Sequence, residues 1–84
     1  METMPKHFRI RCEWDREAGV WFVAESDVPG LSLEAATQRA MTARLRQAVP
    51  ELLELNGLLG DDGPEEVPMS LLYQQEVAVR RRSA

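Results

Sequence analysis

From residue 7 onward the chain interleaves polar and apolar side chains, with Phe8, Ile10, Cys12 and Trp14 set between His7, Arg9, Arg11 and Glu13. That period of two predicts a β-strand with one buried face. The run Val20-Trp21-Phe22-Val23-Ala24 is apolar on both faces, which predicts a second strand that is central in its sheet or covered on both sides. Asp15 to Gly19 form the loop of a hairpin between them, and Gly19 supplies the positive φ that four- and five-residue loops commonly need at their last position. Asp27-Val28-Pro29-Gly30 then stops the second strand, since Pro29 fixes φ, lacks an N–H and pushes Val28 toward extended geometry.

Leu31 to Ala35 alternates weakly and predicts a short third strand, although its Leu, Glu and Ala content also allows an early helix start. Thr37 is a candidate N-cap, and Met41, Leu45, Ala48, Val49 and Leu52 then follow one helical face that Asn56-Gly57 closes. Pro50 lies inside this pattern, where a proline costs about 3 kcal/mol or more, and predicts a kink or a break with a second short helix. Leu58 to Glu66 predicts a loop, punctuated by Gly60, Gly63 and Pro64 and carrying Asp61, Asp62, Glu65 and Glu66. A long last strand is expected over 67–79, where Val67, Met69, Leu71, Tyr73, Val77 and Val79 alternate with their neighbours and Pro68 sits at the start or on an edge. The order is β-β-(β)-α-β, an α+β fold with an antiparallel sheet packed on one helix.

At 84 residues this is a single domain over 1–84, with frayed ends expected at about 1–6 and 81–84 and no DNA-binding domain. A chain this short buries only about 60% of its unfolded surface, so oligomerisation is expected. Fourteen acidic against ten basic side chains give a formal charge of −4, which argues against a free-standing nucleic-acid binder and suits a basic partner. The first residues lack an apolar leader, and no apolar run approaches the roughly 20 residues that span a bilayer, so a cytoplasmic protein is expected. One cysteine, Cys12, permits neither an internal disulfide nor a cysteine-based zinc site, and it sits on the apolar face of its strand as a buried thiol.

Candidate chemistry is sparse. His7 is the single histidine, and no triad or metal constellation can be assembled around it, so it reads as a surface strand residue. Asp61, Asp62, Glu65 and Glu66 lack the alternation and closing glutamate of a calcium loop and read as a solvated acidic loop. Arg80-Arg81-Arg82 reads as a solubilising end, or as a contact for an acidic neighbour. No catalytic, cofactor-binding or metal-binding residue is expected, and the chain is read as a non-enzyme.

Four runs are distinctive: Glu13-Trp14-Asp15, Glu17-Ala18-Gly19-Val20-Trp21, Asp27-Val28-Pro29-Gly30-Leu31, and Pro50-Glu51-Leu52-Leu53-Glu54-Leu55-Asn56-Gly57. With the element order, they resemble a short, uncharacterised family of unknown function within the HicB-like antitoxin superfamily, whose fold is a partial RNase-H-like domain. The resemblance implies an antitoxin that binds and blocks a small basic HicA-like toxin, a protein that resembles a double-stranded-RNA-binding domain and cleaves mRNA. Many such antitoxins carry a C-terminal DNA-binding segment. Here the chain ends soon after the last strand, so no repressor role is implied. Kinship of shape with RNase H does not carry its activity, and Glu13, Asp15 and Glu25 form no recognisable metal cluster.

The hairpin register decides which residues of the second strand are buried. If Trp14 pairs with Val20 across a five-residue loop, Val20, Phe22 and Ala24 join the core while Trp21 and Val23 form an apolar patch outside; a four-residue loop inverts the choice. Either way, large apolar residues need a cover other than the single helix, which marks an interface. Trp21, Val23, Asp61, Asp62, Glu65 and Glu66 are the candidate contacts, with a second copy of the chain favoured as partner over a toxin and the edge of the last strand as another contact.

Overall fold

The computed structural model describes residues 7–59 and 66–82. In order, the elements are β1 (Phe8–Asp15), β2 (Val20–Ser26), β3 (Glu34–Ala35), α1 (Gln38–Leu55) and β4 (Met69–Gln74). The fold is the expected α+β arrangement, with four strands in the order β3-β2-β1-β4. The sheet is mixed rather than antiparallel throughout: β1 pairs antiparallel with β2, and β4 returns from α1 to lie parallel to β1, Phe8 opposite Met69 and Glu13 opposite Gln74. A parallel return needs a long crossover, and α1 supplies it.

The hairpin closes with a four-residue loop, because Trp14 pairs with Trp21 and Asp15 with Val20. One Asp15 carboxylate oxygen accepts from the Glu17 and Ala18 N–H groups at 3.0 and 3.1 Å. The Asp15 carbonyl accepts from the Gly19 N–H at 2.8 Å, with Gly19 at φ 69°. These bonds satisfy the loop backbone and fix its length. Further along, Arg11 pairs with Glu25 but Cys12 with Val23, so Ala24 is the extra residue of a β-bulge. The bulge resets the alternation: Trp21 and Val23 point inward before it, and Ser26, opposite Ile10, points inward after it.

Thr37 caps α1, its hydroxyl accepting from the Ala40 N–H at 3.0 Å. At the other end Gly57 takes φ 69°, Leu58 N–H donates to the Leu53 carbonyl at 2.8 Å and Gly57 N–H to the Glu54 carbonyl at 3.0 Å, the paired bonds of a Schellman cap. The helix continues through Pro50 as one element, so of the expected kink or break the break does not occur. Its charges oppose the helix dipole, with no acid in the first turn and no base in the last. Burial therefore holds it. Met41, Leu45, Val49 and Leu53 are fully buried, one every four residues, against Phe8, Ile10 and Cys12 of β1 and Trp21 of β2. Leu53 thus takes the innermost place that the spacing assigns to Leu52, which is half-buried.

Two strands are shorter than expected. The third covers only Glu34–Ala35, although the Leu33 carbonyl still accepts from the Val23 N–H at 3.2 Å. The last ends at Gln74 rather than near 79: β1 turns into the hairpin at Asp15, level with position 76, and offers nothing for Val77 or Val79 to pair with. Leu45→Ala is expected to lower the unfolding free energy by about 2–5 kcal/mol, the cost of emptying a fully buried leucine site. Leu55→Ala, at a position 82% exposed, is expected to stay within about 0.5 kcal/mol of the parent. Urea unfolding followed by circular dichroism checks both.

Candidate functional site

One face of the sheet carries α1, and among the described residues no element covers the other. Strand alternation sends Arg9, Arg11 and Glu13 of β1, Val20, Phe22 and Glu25 of β2, and Ser70, Leu72 and Gln74 of β4 to the open side. Leu72 is 57% exposed there. Arg11 stands between two acids, paired with Glu13 and, at 3.3 Å, with Glu25. The Glu13 hydrogen bond raises the Arg11 pKa further above its ordinary range, against an opposing desolvation effect, so the guanidinium stays charged.

Beside this pair lies a groove of about 500 Å³ lined by Arg9, Arg11, Glu25, Asp27, Ser70 and Leu72. Asp27 is fixed at its rim by two bonds to Arg9: the Arg9 N–H donates to an Asp27 carboxylate oxygen at 2.9 Å, and the Asp27 N–H donates to the Arg9 carbonyl at 3.0 Å. His7 Nε2 is bonded to the hydroxyl of the groove residue Ser70 at 2.8 Å. Across the whole face Arg9 and Arg11 are outnumbered by Glu13, Glu25, Asp27 and Glu34, whose residue pairs with Phe22. The surface therefore carries two apolar spots, Val20 with Phe22 on β2 and Leu72 on β4, set apart by the Arg11–Glu13 pair of β1 in an acidic setting, suited to a partner with apolar and basic groups.

Trp21 is not on this face. It is 6% exposed, in the core, with Trp14 edge-on at 5.4 Å between ring centroids and Tyr73 at 5.3 Å. Val23 is half-buried against the same core. The shorter loop is the reason, and it passes the outward positions to Val20 and Phe22. Glu66 is exposed, whereas Asp61, Asp62 and Glu65 lie outside the described residues. The groove residues Arg9, Asp27, Ser70 and Leu72 had no sequence signal of their own; the parallel pairing of β1 with β4 brings Ser70 and Leu72 beside Arg9, and two hydrogen bonds to Arg9 bring Asp27. The signal for the loop was present in Asp15, a side chain that caps two N–H groups of a four-residue turn.

Behind the sheet, Tyr73 joins β4 to the start of α1. Its hydroxyl bonds the Thr42 hydroxyl at 2.7 Å and donates to the Gln38 carbonyl at 3.1 Å. Desolvation raises the Tyr73 pKa, partly offset by the Thr42 bond, and burial likewise raises that of the Cys12 thiol. Among the described residues no three His, Cys, Asp or Glu side chains come together as a metal site, and no helix is long and apolar enough to cross a membrane.

Residues 7–81 match the model of DUF1902, a domain of unknown function. The chain is also similar to a hypothetical protein of the extremely thermophilic bacterium Thermus thermophilus, known from its crystal structure. The two are 40% identical over 90% of this chain and 100% of the other, with a TM-score of 0.64. No curated protein matches.

The raised pKa values of Cys12 and Tyr73 make the fold lose stability at alkaline pH. Above about 9.0 the unfolded thiol ionises while the buried Cys12 does not, and above about 10.0 the same holds for Tyr73. Stability is therefore complete below this range and falls as pH rises through the folded-state values. Urea unfolding at stepped pH is expected to show a decline that Cys12→Ala softens from near 9.0 and Tyr73→Phe from near 10.0. Slopes that neither substitution changes would contradict the assignment.

Proposed function

The chain belongs to the DUF1902 family of unknown function, and from that premise we propose that it is a non-enzymatic protein-binding module of the HicB-like kind, an antitoxin that occupies a small basic RNA-acting toxin. The open face of the sheet is the observation that carries this reading. It offers Phe22, Val20 and Leu72 to an apolar contact, and its excess of carboxylates attracts a basic protein and speeds encounter. The element order β1-β2-β3-α1-β4 with one helix on the sheet agrees with the order on which the resemblance rests, although the sheet is mixed rather than antiparallel. Such a toxin acts on mRNA, so the proposed site of action is the cytoplasm.

A second reading, a homodimerising module with no toxin partner, draws support from the outer edge of β4, with which no strand among the described residues pairs.

The test is to co-express the chain with the small, strongly basic protein of an adjacent reading frame. A stable complex that relieves growth arrest is expected, weakened at least roughly tenfold by Phe22→Asp or Leu72→Asp. Circular dichroism establishes that both variants fold. No such reading frame, no complex, or binding indifferent to both variants would reject the toxin reading.

A further inference from the structure

The outer edge of β4 and the segment that follows it are complementary to each other in a way one copy cannot use. Within a strand, successive residues direct their N–H and C=O groups to opposite sides. The Pro68 carbonyl accepts from Phe8 N–H at 3.1 Å, so even-numbered positions of β4 face β1. Met69, Leu71 and Tyr73 therefore direct their N–H and C=O groups to the open edge, with which no strand among the described residues pairs. Residues 75–82 then run on outside the sheet and are exposed, Val77 at 70% and Val79 at 85%. They keep the strand alternation of β4 and have no strand beside them.

We propose that the arm of one copy adds as an antiparallel strand to the β4 edge of a second copy, each copy supplying both an edge and an arm about a two-fold axis at Gln75. The edge polarity restricts the register, because inward-facing odd positions must meet odd positions. Centred on Gln75, Leu71 meets the partner's Val79 and Tyr73 meets the partner's Val77 on the core side of the sheet, where Leu71 and Tyr73 are only half-buried. On the open side Leu72 meets the partner's Ala78, and Gln74 meets the partner's Glu76. Shifting the register by two places Leu72 opposite Glu76 in one direction and Leu71 opposite Arg81 in the other, whereas the centred pairing sets Leu71, Leu72 and Tyr73 each against an apolar residue and leaves Arg81 to Met69 at the strand's end. It also brings Arg82 diagonally beside the partner's Glu66, an exposed acid at the approach to β4. The contact is isologous and closes as a dimer whose two sheets form one.

This deepens the self-association reading and is separable from the toxin reading, since it uses the sheet edge, shares only Leu72 with the open-face contact and leaves Val20 and Phe22 clear. Light scattering of the full chain is expected to give a dimer. Val79→Pro removes an N–H that donates across the ladder and touches nothing in the monomer's core, and should weaken the dimer at least about tenfold. In the double variant Leu72→Cys/Ala78→Cys, facing positions approach closely enough for disulfides, and oxidation should yield a covalent dimer. The register variant Leu72→Cys/Glu76→Cys should not cross-link. A monomer, an oligomer indifferent to Val79→Pro, or preferential cross-linking in the register variant would overturn the proposal. Loss of toxin binding in Phe22→Asp with the dimer intact would leave it standing.

Discussion

The pairing of Trp14 with Trp21 across a four-residue loop is the constraint from which the rest of the molecule follows. One residue more in the loop would reverse every side chain of the second strand, because strand alternation has a period of two. With this register Trp21 enters the core and stacks edge-on between Trp14 and Tyr73. Tyr73 in turn bonds Thr42 and the Gln38 carbonyl. Hairpin, last strand and helix start are thus joined through three aromatic side chains on one side of the sheet. The opposite side is left with Val20 and Phe22, and its openness is a consequence of the same register.

The helix is stable for reasons that lie outside it. Arg39, Arg44 and Arg46 occupy its first half and Glu51 and Glu54 its second, the arrangement the dipole disfavours, and Pro50 removes the N–H that the Arg46 carbonyl would accept. Its ends are capped by Thr37 and Gly57, and the four fully buried residues between them supply what local propensity does not. The helix is therefore committed to one face of a small sheet. The other face and the β4 edge remain as the surfaces on which partners can act.

Much of this was legible in the residues. The alternation of Phe8 to Trp14, the positive φ of Gly19, the cap at Thr37 and the close at Asn56-Gly57 each have a local physical cause, and the sequence carries local causes openly. Hairpin register was open because Asp15-to-Gly19 chemistry suits loops of either length until the Asp15 side chain is seen capping Glu17 and Ala18. The last strand stops short of its alternating pattern for another reason. Val77 and Val79 have the right pattern, but a strand needs a neighbour, and β1 ends where they begin. The groove of Arg9, Asp27, Ser70 and Leu72 depends on a pairing between segments some 60 residues apart, which no short-range pattern encodes.

Amide hydrogen exchange across residues 69–82 of the full chain is the most direct test of the central claim, that the β4 edge is completed by the arm of a second copy. In the dimer, the N–H groups of Met69, Leu71, Tyr73, Val77 and Val79 face the partner strand and should exchange slowly, while those of Glu76, Ala78 and Arg80 should exchange fast. Rapid exchange at Val77 and Val79, no slower than at Glu76 and Ala78, would contradict it.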